Sequence, residues 1–433
     1  MTACAIEAVA EDGAVGRGGI TISANGAYAA RIAGVGEALF PERWTLDGPE
    51  PYAVPLPLGQ PEERDTDVLP LTDGRVLIRR RVAERHLFSL LYPTGPATGE
   101  LLIGGVESTE LTLLPPSPGG TRAYAVTHGA GSTAVWLVAG GSAGPERIAE
   151  VPGHCTGGVW LDRTGRMLAL DRRLDDGPVK AVAVDLERGG EVSPLLQIAE
   201  KSDDRLLLAA PESGLLLIRS NAPGRDRLGW GVLGSPRPVR FPECLGLTDH
   251  TVTPFAVQPG QPLTPETSGV ALRIDGAAGS WLGLWRPSGR LLHQLPVPEG
   301  WLAGAGLWSR EGMLRLPCVT AAQRCGVARL DTTGIFAREA PGAPAKPETA
   351  PEAPAREETQ EVTQGAPELA EAPEAPGTPG TPEASAMAAP ATPAPPTAPV
   401  PAPVAPVVAK TVTAMCRPVP LQQAPLVGRK GLG

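Results

Sequence analysis

The string Gly140-Gly141-Ser142-Ala143-Gly144 has the Gly-x-Ser-x-Gly spacing of a serine nucleophile. Such a serine works only on a sharp turn between a strand and a helix, where its hydroxyl is exposed beside a base. The residues around Ser142 predict two short strands and no helix, so the string is typical of a hairpin turn. We therefore predict no catalytic residue at this position.

The histidines offer a second candidate chemistry, because imidazole binds metals and transfers protons near neutral pH. His86, His128, His154 and His250 fall in predicted loops on one face, and His293 falls in a predicted outer strand. Carboxylates do not recur at a matched spacing beside them, and no Walker loop occurs. We predict no metal site, no catalytic histidine and no bound cofactor.

Arginines supply the third candidate, a binding surface. They recur near the end of the second strand of several predicted repeats and in loops of the same face. Guanidinium groups bind carboxylates and phosphates in a bidentate way, although the acidic residues among them leave a self-compensated surface as the alternative. The predicted partner-binding residues of this face are Arg31, Arg79, Arg81, Arg85, His86, His128, Arg172, Arg219, Arg225 and Arg273.

A repeat of short strands must position these residues. Seven glycines, 43 to 55 residues apart, each close a short polar turn and precede a small apolar run: Gly26, Gly74, Gly120, Gly165, Gly214, Gly269 and Gly312. A period in the mid-forties made of strands is typical of propeller blades, which bury both faces only by stacking on neighbours. We predict an all-β, seven-bladed propeller, with six blades as the alternative because the step before Gly269 is the longest.

The third repeat shows the predicted blade most clearly. Its strands are predicted at 111–115, 122–126, 134–138 and 147–151, and they are joined by tight turns. A second glycine turn keeps the same phase in the other repeats, at Gly48, Gly95, Gly189, Gly234, Gly289 and Gly334.

Turns of the form Thr72-Asp73-Gly74 and Pro118-Gly119-Gly120 resemble those of bacterial WD40-like and TolB-type propeller repeats. The resemblance covers about residues 18–340 and lacks the Trp-Asp pairs of true WD40 units. It implies a ring that commonly presents loops to a partner, and it implies no catalytic residues.

The chain outside the repeats differs in composition. Residues 1–17 could supply a strand that closes the ring, and residues 18–340 form the predicted propeller. Residues 341–409 are rich in Pro, Ala and Glu, and this segment cannot bury enough apolar surface to fold. Residues 410–433 regain apolar and basic side chains, which is typical of a tethered linear motif. Its predicted binding residues are Arg417, Leu421, Leu426, Arg429 and Lys430.

Charge and cysteine content limit the partners. The net charge of −9 argues against nucleic acid, and no apolar stretch of 18 residues or secretory leader is present. The six cysteines form no Cys-x-x-Cys pair, so neither a disulfide framework nor a zinc site is indicated. We predict a cytoplasmic protein that contacts no membrane.

Our main hypothesis is a non-enzymatic interaction scaffold that binds a protein or peptide through the charged loop face, the terminal peptide, or both. One alternative is a hydrolase or lactonase-type propeller, which would line its channel with Asp, Glu, Asn or His around a metal. The other is a small-ligand sensor at the ring mouth, with Trp160, Trp301 and Trp308 as candidate stacking platforms.

Overall fold

The computed structural model describes residues 19–260 and 263–337, and in this part of the chain nearly all regular structure is antiparallel strand. Twenty-six strands and one five-residue helix, α1 (Thr333–Ala337), follow one another here. The strands group into seven consecutive blades, each of which runs from an inner strand to an outer one. The all-β, seven-bladed propeller predicted from the glycine repeat is confirmed.

The first four blades each have four strands. Blade 1 contains β1 (Thr21–Ile22), β2 (Tyr28–Val35), β3 (Ala38–Thr45) and β4 (Tyr52–Pro55). Blade 2 contains β5 (Asp67–Pro70), β6 (Val76–Val82), β7 (Arg85–Pro93) and β8 (Thr98–Glu107). Blade 3 contains β9 (Leu111–Leu113), β10 (Ala123–His128), β11 (Ser132–Ala139) and β12 (Glu146–Pro152). Blade 4 contains β13 (His154–Trp160), β14 (Met167–Arg173), β15 (Val179–Asp185) and β16 (Glu191–Leu196).

Of the last three blades, blade 6 has four strands, and blades 5 and 7 have three each within the described residues. Blade 5 contains β17 (Asp204–Ala210), β18 (Leu215–Ser220) and β19 (Arg227–Val232), and a single bridge from Trp230 to Arg240 stands in for its outer strand. Blade 6 contains β20 (Thr251–Val257), β21 (Val270–Gly276), β22 (Gly279–Trp285) and β23 (His293–Pro296). Blade 7 contains β24 (Leu307–Trp308), β25 (Met313–Cys318) and β26 (Gly326–Asp331).

Each blade is covered by apolar contacts on both faces, which explains the runs of successive apolar residues in the sequence. One buried cluster fills each of the seven interfaces between neighbouring blades. The cluster that joins the two ends of the repeat packs Trp44 of blade 1 against Leu302 and Val327 of blade 7. Because the first and last blades share a core, the seven blades close into a ring.

Most of the glycine turns have the geometry that the repeat requires. Six of the seven anchor glycines have φ between 68° and 87°, where a side chain is strained. Gly269 has no positive φ, and a Cβ there would lie 2.8 Å from the ring of Trp308. The predicted second turn at Gly334 is wrong, because this residue lies in α1.

Three predicted segments lie outside the described residues. They are the possible closing strand at 1–17, the segment at 341–409 and the terminal peptide at 410–433, with Arg417, Leu421, Leu426, Arg429 and Lys430. Among the residues that are described, no helix has the length and apolar character needed to cross a membrane.

Candidate functional site

Two of the predicted partner-binding arginines are buried in ion pairs inside their own blades. Arg31 Nε donates to Glu42 Oε2 at 2.8 Å, and Trp44 Nε1 donates to the same oxygen at 2.8 Å. Arg79 contacts Asp67 Oδ2 at 2.6 Å. Arg31 and Arg79 are 6% and 7% exposed, so the structure does not present these two guanidinium groups to a partner.

His86 is buried beside Arg79. The Nη1 atom of Arg79 lies 3.0 Å from His86 Nδ1, and a guanidinium can only donate, so Nδ1 accepts this hydrogen bond. Burial, followed by the nearby charge of Arg79, lowers the pKa of His86 below its usual value. His86 therefore belongs to a structural contact of blade 2.

The other predicted residues of blades 2, 4 and 6 lie apart from one another. Arg81 and Arg85 flank the exposed hairpin between β6 and β7, and Arg172 lies on β14. Arg273 Nε donates to Asp275 Oδ1 at 2.8 Å. These residues do not converge on a shared site.

His128 and His154 form a contact between blades 3 and 4. Their rings stack with centroids 4.1 Å apart. Burial, and then the neighbouring His154, lower the pKa of His128. Stacked rings direct their nitrogen lone pairs side by side, which does not suit binding of one metal ion by both.

Arg219 and Arg225 do meet in one place, a groove between blades 5 and 6 that we call the Arg groove. It encloses about 230 Å³. It is formed by the end of β18, the loop that follows it, the start of β19, and the connection from blade 5 to blade 6. Its lining residues are Arg219, Arg225, Asp226, Arg227, Leu228, Leu245, Gly246, Leu247, His250, Thr251 and Val252.

Two guanidinium groups converge over a glycine in this groove. A Cβ added to Gly246 would lie 3.5 Å from Arg227 Nη2 and 3.7 Å from Arg225 Nη2. Gly246 ends a short 3-10 turn, Glu243–Leu245, and has a φ of −89°. The absence of a side chain at this position leaves space directly in front of both cations.

The arginines of the groove are only partly neutralised. Arg227 Nη1 pairs with Glu243 at 3.0 Å, and the Glu243 side chain is 86% exposed. Arg227 Nη2 donates to the backbone oxygens of Phe241 and Pro242 at 3.4 and 3.2 Å. Arg219 Nη2 donates to the backbone oxygen of Val252 at 2.9 Å. Within residues 19–260 and 263–337, Arg225 makes no hydrogen bond or ion pair. Three guanidinium groups and the carboxylate of Asp226 therefore line the groove, and Arg225 is the guanidinium that is free to bind an anion.

His250 adds a polar nitrogen to the groove. Its Nδ1 lies 2.6 Å from the backbone oxygen of Thr248. A carbonyl oxygen can only accept, so Nδ1 carries the proton and Nε2 is left to accept or, in the imidazolium form, to donate.

Arg227 and Gly246 are the site residues that sequence reasoning missed. The available signal was the Arg225-Asp226-Arg227 string, which begins a strand directly after a loop. Gly246 could not be connected to this string, since it lies in the next inter-blade connection. The groove depends on the packing of two blades.

The remaining candidates have structural positions. Ser142 lies in the turn between β11 and β12, as predicted. In the described ranges no group of three His, Cys, Asp or Glu side chains could hold a metal ion. Trp160, Trp301 and Trp308 are at most 9% exposed, so they are parts of the core and do not form stacking platforms.

Comparison with known proteins gives likeness of fold alone. No family model matches the sequence, and no curated protein matches it significantly. A structure from work on two prolyl endopeptidases is 13% identical, with a TM-score of 0.46, over 72% of this chain and 47% of its own. Prolyl oligopeptidase B from Galerina marginata is 11% identical, with a TM-score of 0.47, over 75% and 50%.

TolB from Acinetobacter baumannii is 11% identical, with a TM-score of 0.39, over 72% of this chain and 79% of its own. The predicted TolB-type resemblance is thus confirmed at the level of fold. This chain spans about half the length of the two prolyl peptidase structures.

These comparisons correct our main functional hypothesis. The similar structures include prolyl peptidases, so a hydrolase-type propeller, our alternative, is better supported than a non-enzymatic interaction scaffold. Identities of 11–13% and TM-scores below 0.5 assign no activity to this chain.

Proposed function

We propose that this chain is a ligand-binding propeller that holds a small anion in the Arg groove. The observation that carries the proposal is the convergence of Arg225 and Arg227 on the open space over Gly246. The two guanidinium groups repel each other. An anion between them would offset this repulsion and would accept charge-assisted hydrogen bonds from both. The proposal develops our ring-mouth ligand alternative.

Calorimetric titration of the full chain with inorganic phosphate and with acetate tests this function. We expect saturable binding of one anion per chain. Arg225→Ala should weaken it about tenfold or more, because a hydrogen bond to a charged group contributes about 1.5–3 kcal/mol. Arg147→Ala, which removes an exposed arginine of β12 in blade 3, is the matched control and should bind as the parent does.

A second variant tests whether binding needs the open space over Gly246 as well as the charges of the arginines. Gly246→Ala keeps every charge and has an allowed φ, but its methyl group occupies the space between the two guanidinium groups. It should weaken binding as Arg225→Ala does. The proposal fails if neither anion binds, or if Arg147→Ala lowers the affinity as much as the groove variants.

The hydrolase-type propeller is the second candidate, since the comparisons favour it over a scaffold. In this arrangement the Arg groove would hold an acidic group of the substrate. Reaction of the full chain with a fluorophosphonate probe would support a serine hydrolase, and an unlabelled chain would count against one. The protein or peptide partner and the cytoplasmic location remain predictions from the sequence.

A further inference from the structure

The lining of the Arg groove combines two chemistries. Arg219, Arg225, Arg227 and His250 give it cationic and polar groups, and Asp226 adds a carboxylate. Its aliphatic members, which we call the aliphatic side, are Leu228, Leu245, Leu247 and Val252. A bare inorganic anion would bind only the cationic and polar groups, so the aliphatic side needs a different explanation.

The aliphatic side is a continuation of the core between blades 5 and 6. Leu228, Leu245 and Val252 are 5%, 3% and 6% exposed and belong to the buried cluster of this interface. Leu247 packs against the same cluster and is only partly buried. Leu247 therefore offers apolar surface that a ligand could cover.

The volume of the groove exceeds the needs of a single small anion. A water molecule occupies about 30 Å³ of liquid, so the 230 Å³ of the groove has room for a charged group and several carbon atoms. This volume is below the range of about 300–1,000 Å³ that is usual for drug-sized ligands. The volume of the groove therefore suits a small ligand.

We propose that the natural ligand of the Arg groove is an amphiphilic organic anion, with a carboxylate or phosphate head and a short aliphatic body. The inference rests on the proposed function, because the head occupies the space over Gly246. The body lies along Leu247 toward Leu228. The guanidinium groups fix the head, and the aliphatic side selects for chain length.

A homologous series of carboxylates tests the inference on the unmodified chain. The probes are acetate, butyrate, hexanoate and octanoate, with propyl phosphate to compare its head with that of butyrate at equal length of the aliphatic chain. Affinity should rise about fourfold for each methylene that is buried, and it should stop rising once the groove is full. An affinity that is the same along the series would overturn the inference while leaving anion binding intact.

A variant of the aliphatic side gives an independent measurement. Leu247→Ser should flatten the dependence of the affinity on chain length. Leu291→Ser, at an exposed leucine of blade 6 that is 62% accessible and outside the groove, is the control and should keep the full dependence. If no member of the series binds to the unmodified chain, the proposed function fails together with this inference.

Discussion

At the scale of single residues, burial decides which charged side chains are available. The sequence placed Arg31, Arg79 and Arg225 in one class, but only Arg225 reaches an open groove. Arg31 faces Glu42 and Arg79 faces Asp67 directly across paired strands, so the pairing of the strands neutralises them. The strand register that determines this is not encoded by the spacing of the arginines, and sequence reasoning could not separate the two groups.

Asp171, unlike Glu42 and Asp67, is a buried carboxyl group that has no ion-pair partner among the described residues. Burial raises the pKa of Asp171 to about 6, although the backbone N–H of Leu206 and the charge of Arg205 act against the rise. The folded state therefore binds the Asp171 proton more tightly than the unfolded state does. The stability that this proton contributes is complete below about pH 4 and is lost as the pH rises to about 6.

Asp171→Asn removes this titration and keeps the oxygen that accepts from Leu206. We expect the variant to gain stability relative to the parent as the pH rises from 4 to 7, by about 3 kcal/mol at most, which corresponds to a pKa rise of about two. Urea unfolding at several pH values measures the difference. Asp176→Asn, on the exposed hairpin that follows, is the control, and its stability relative to the parent should not change with pH. If the stability of both variants changes with pH in the same way, the raised pKa of Asp171 is not its cause.

At the scale of elements, blades 4 and 5 are joined by more than apolar packing. β15 and β17 share one parallel pair, Lys180 with Asp204, which merges the two blades into one seven-stranded sheet. Lys180 Nζ lies 2.7 Å from Asp204 Oδ2, and Asp204 is fully buried. Burial alone would raise the pKa of Asp204, but hydrogen bonds from Lys180 and Ser220 lower it.

Lys180→Met leaves the Asp204 carboxylate buried without its cation. We expect a loss of about 3–5 kcal/mol in the free energy of unfolding, since removal of one partner from a buried pair costs this much. Chemical denaturation measures the loss. Lys201→Met, at an exposed lysine of the neighbouring connection, should change stability by less than about 0.5 kcal/mol, and equal effects of the two substitutions would show that the pair is unimportant.

At the scale of the whole molecule, the glycine repeat was sufficient to predict the ring. Each glycine turn is a local requirement of a hairpin, so the number of blades could be counted along the chain. The Arg groove could not be predicted in this way, because Arg225 and Gly246 belong to different connections and no spacing in the sequence links them. The prediction of a second turn at Gly334 was wrong, because α1 follows β26 in blade 7.

Closure of the ring depends on a close approach between blades 1 and 7. The anchor Gly26 has a φ of 71°, and a Cβ there would lie 2.1 Å from Leu307 Cδ2. Gly36 has a similar φ of 63°, but nothing lies within 4 Å of the corresponding position. The two glycines therefore carry the same backbone requirement, and only Gly26 also contacts the last blade.

Gly36→Ala should cost about 1–2 kcal/mol, the strain of a left-handed residue, whereas Gly26→Ala should cost a further 1–3 kcal/mol or so because Leu307 must leave its position. Thermal and urea unfolding of the full chain measure both. The added Leu307→Ala substitution should recover part of the loss in Gly26→Ala and none in Gly36→Ala, since only the former clashes with this side chain. If the double variant shows no recovery, contact between the first and last blades does not limit stability, and closure must depend on the cluster around Trp44 instead.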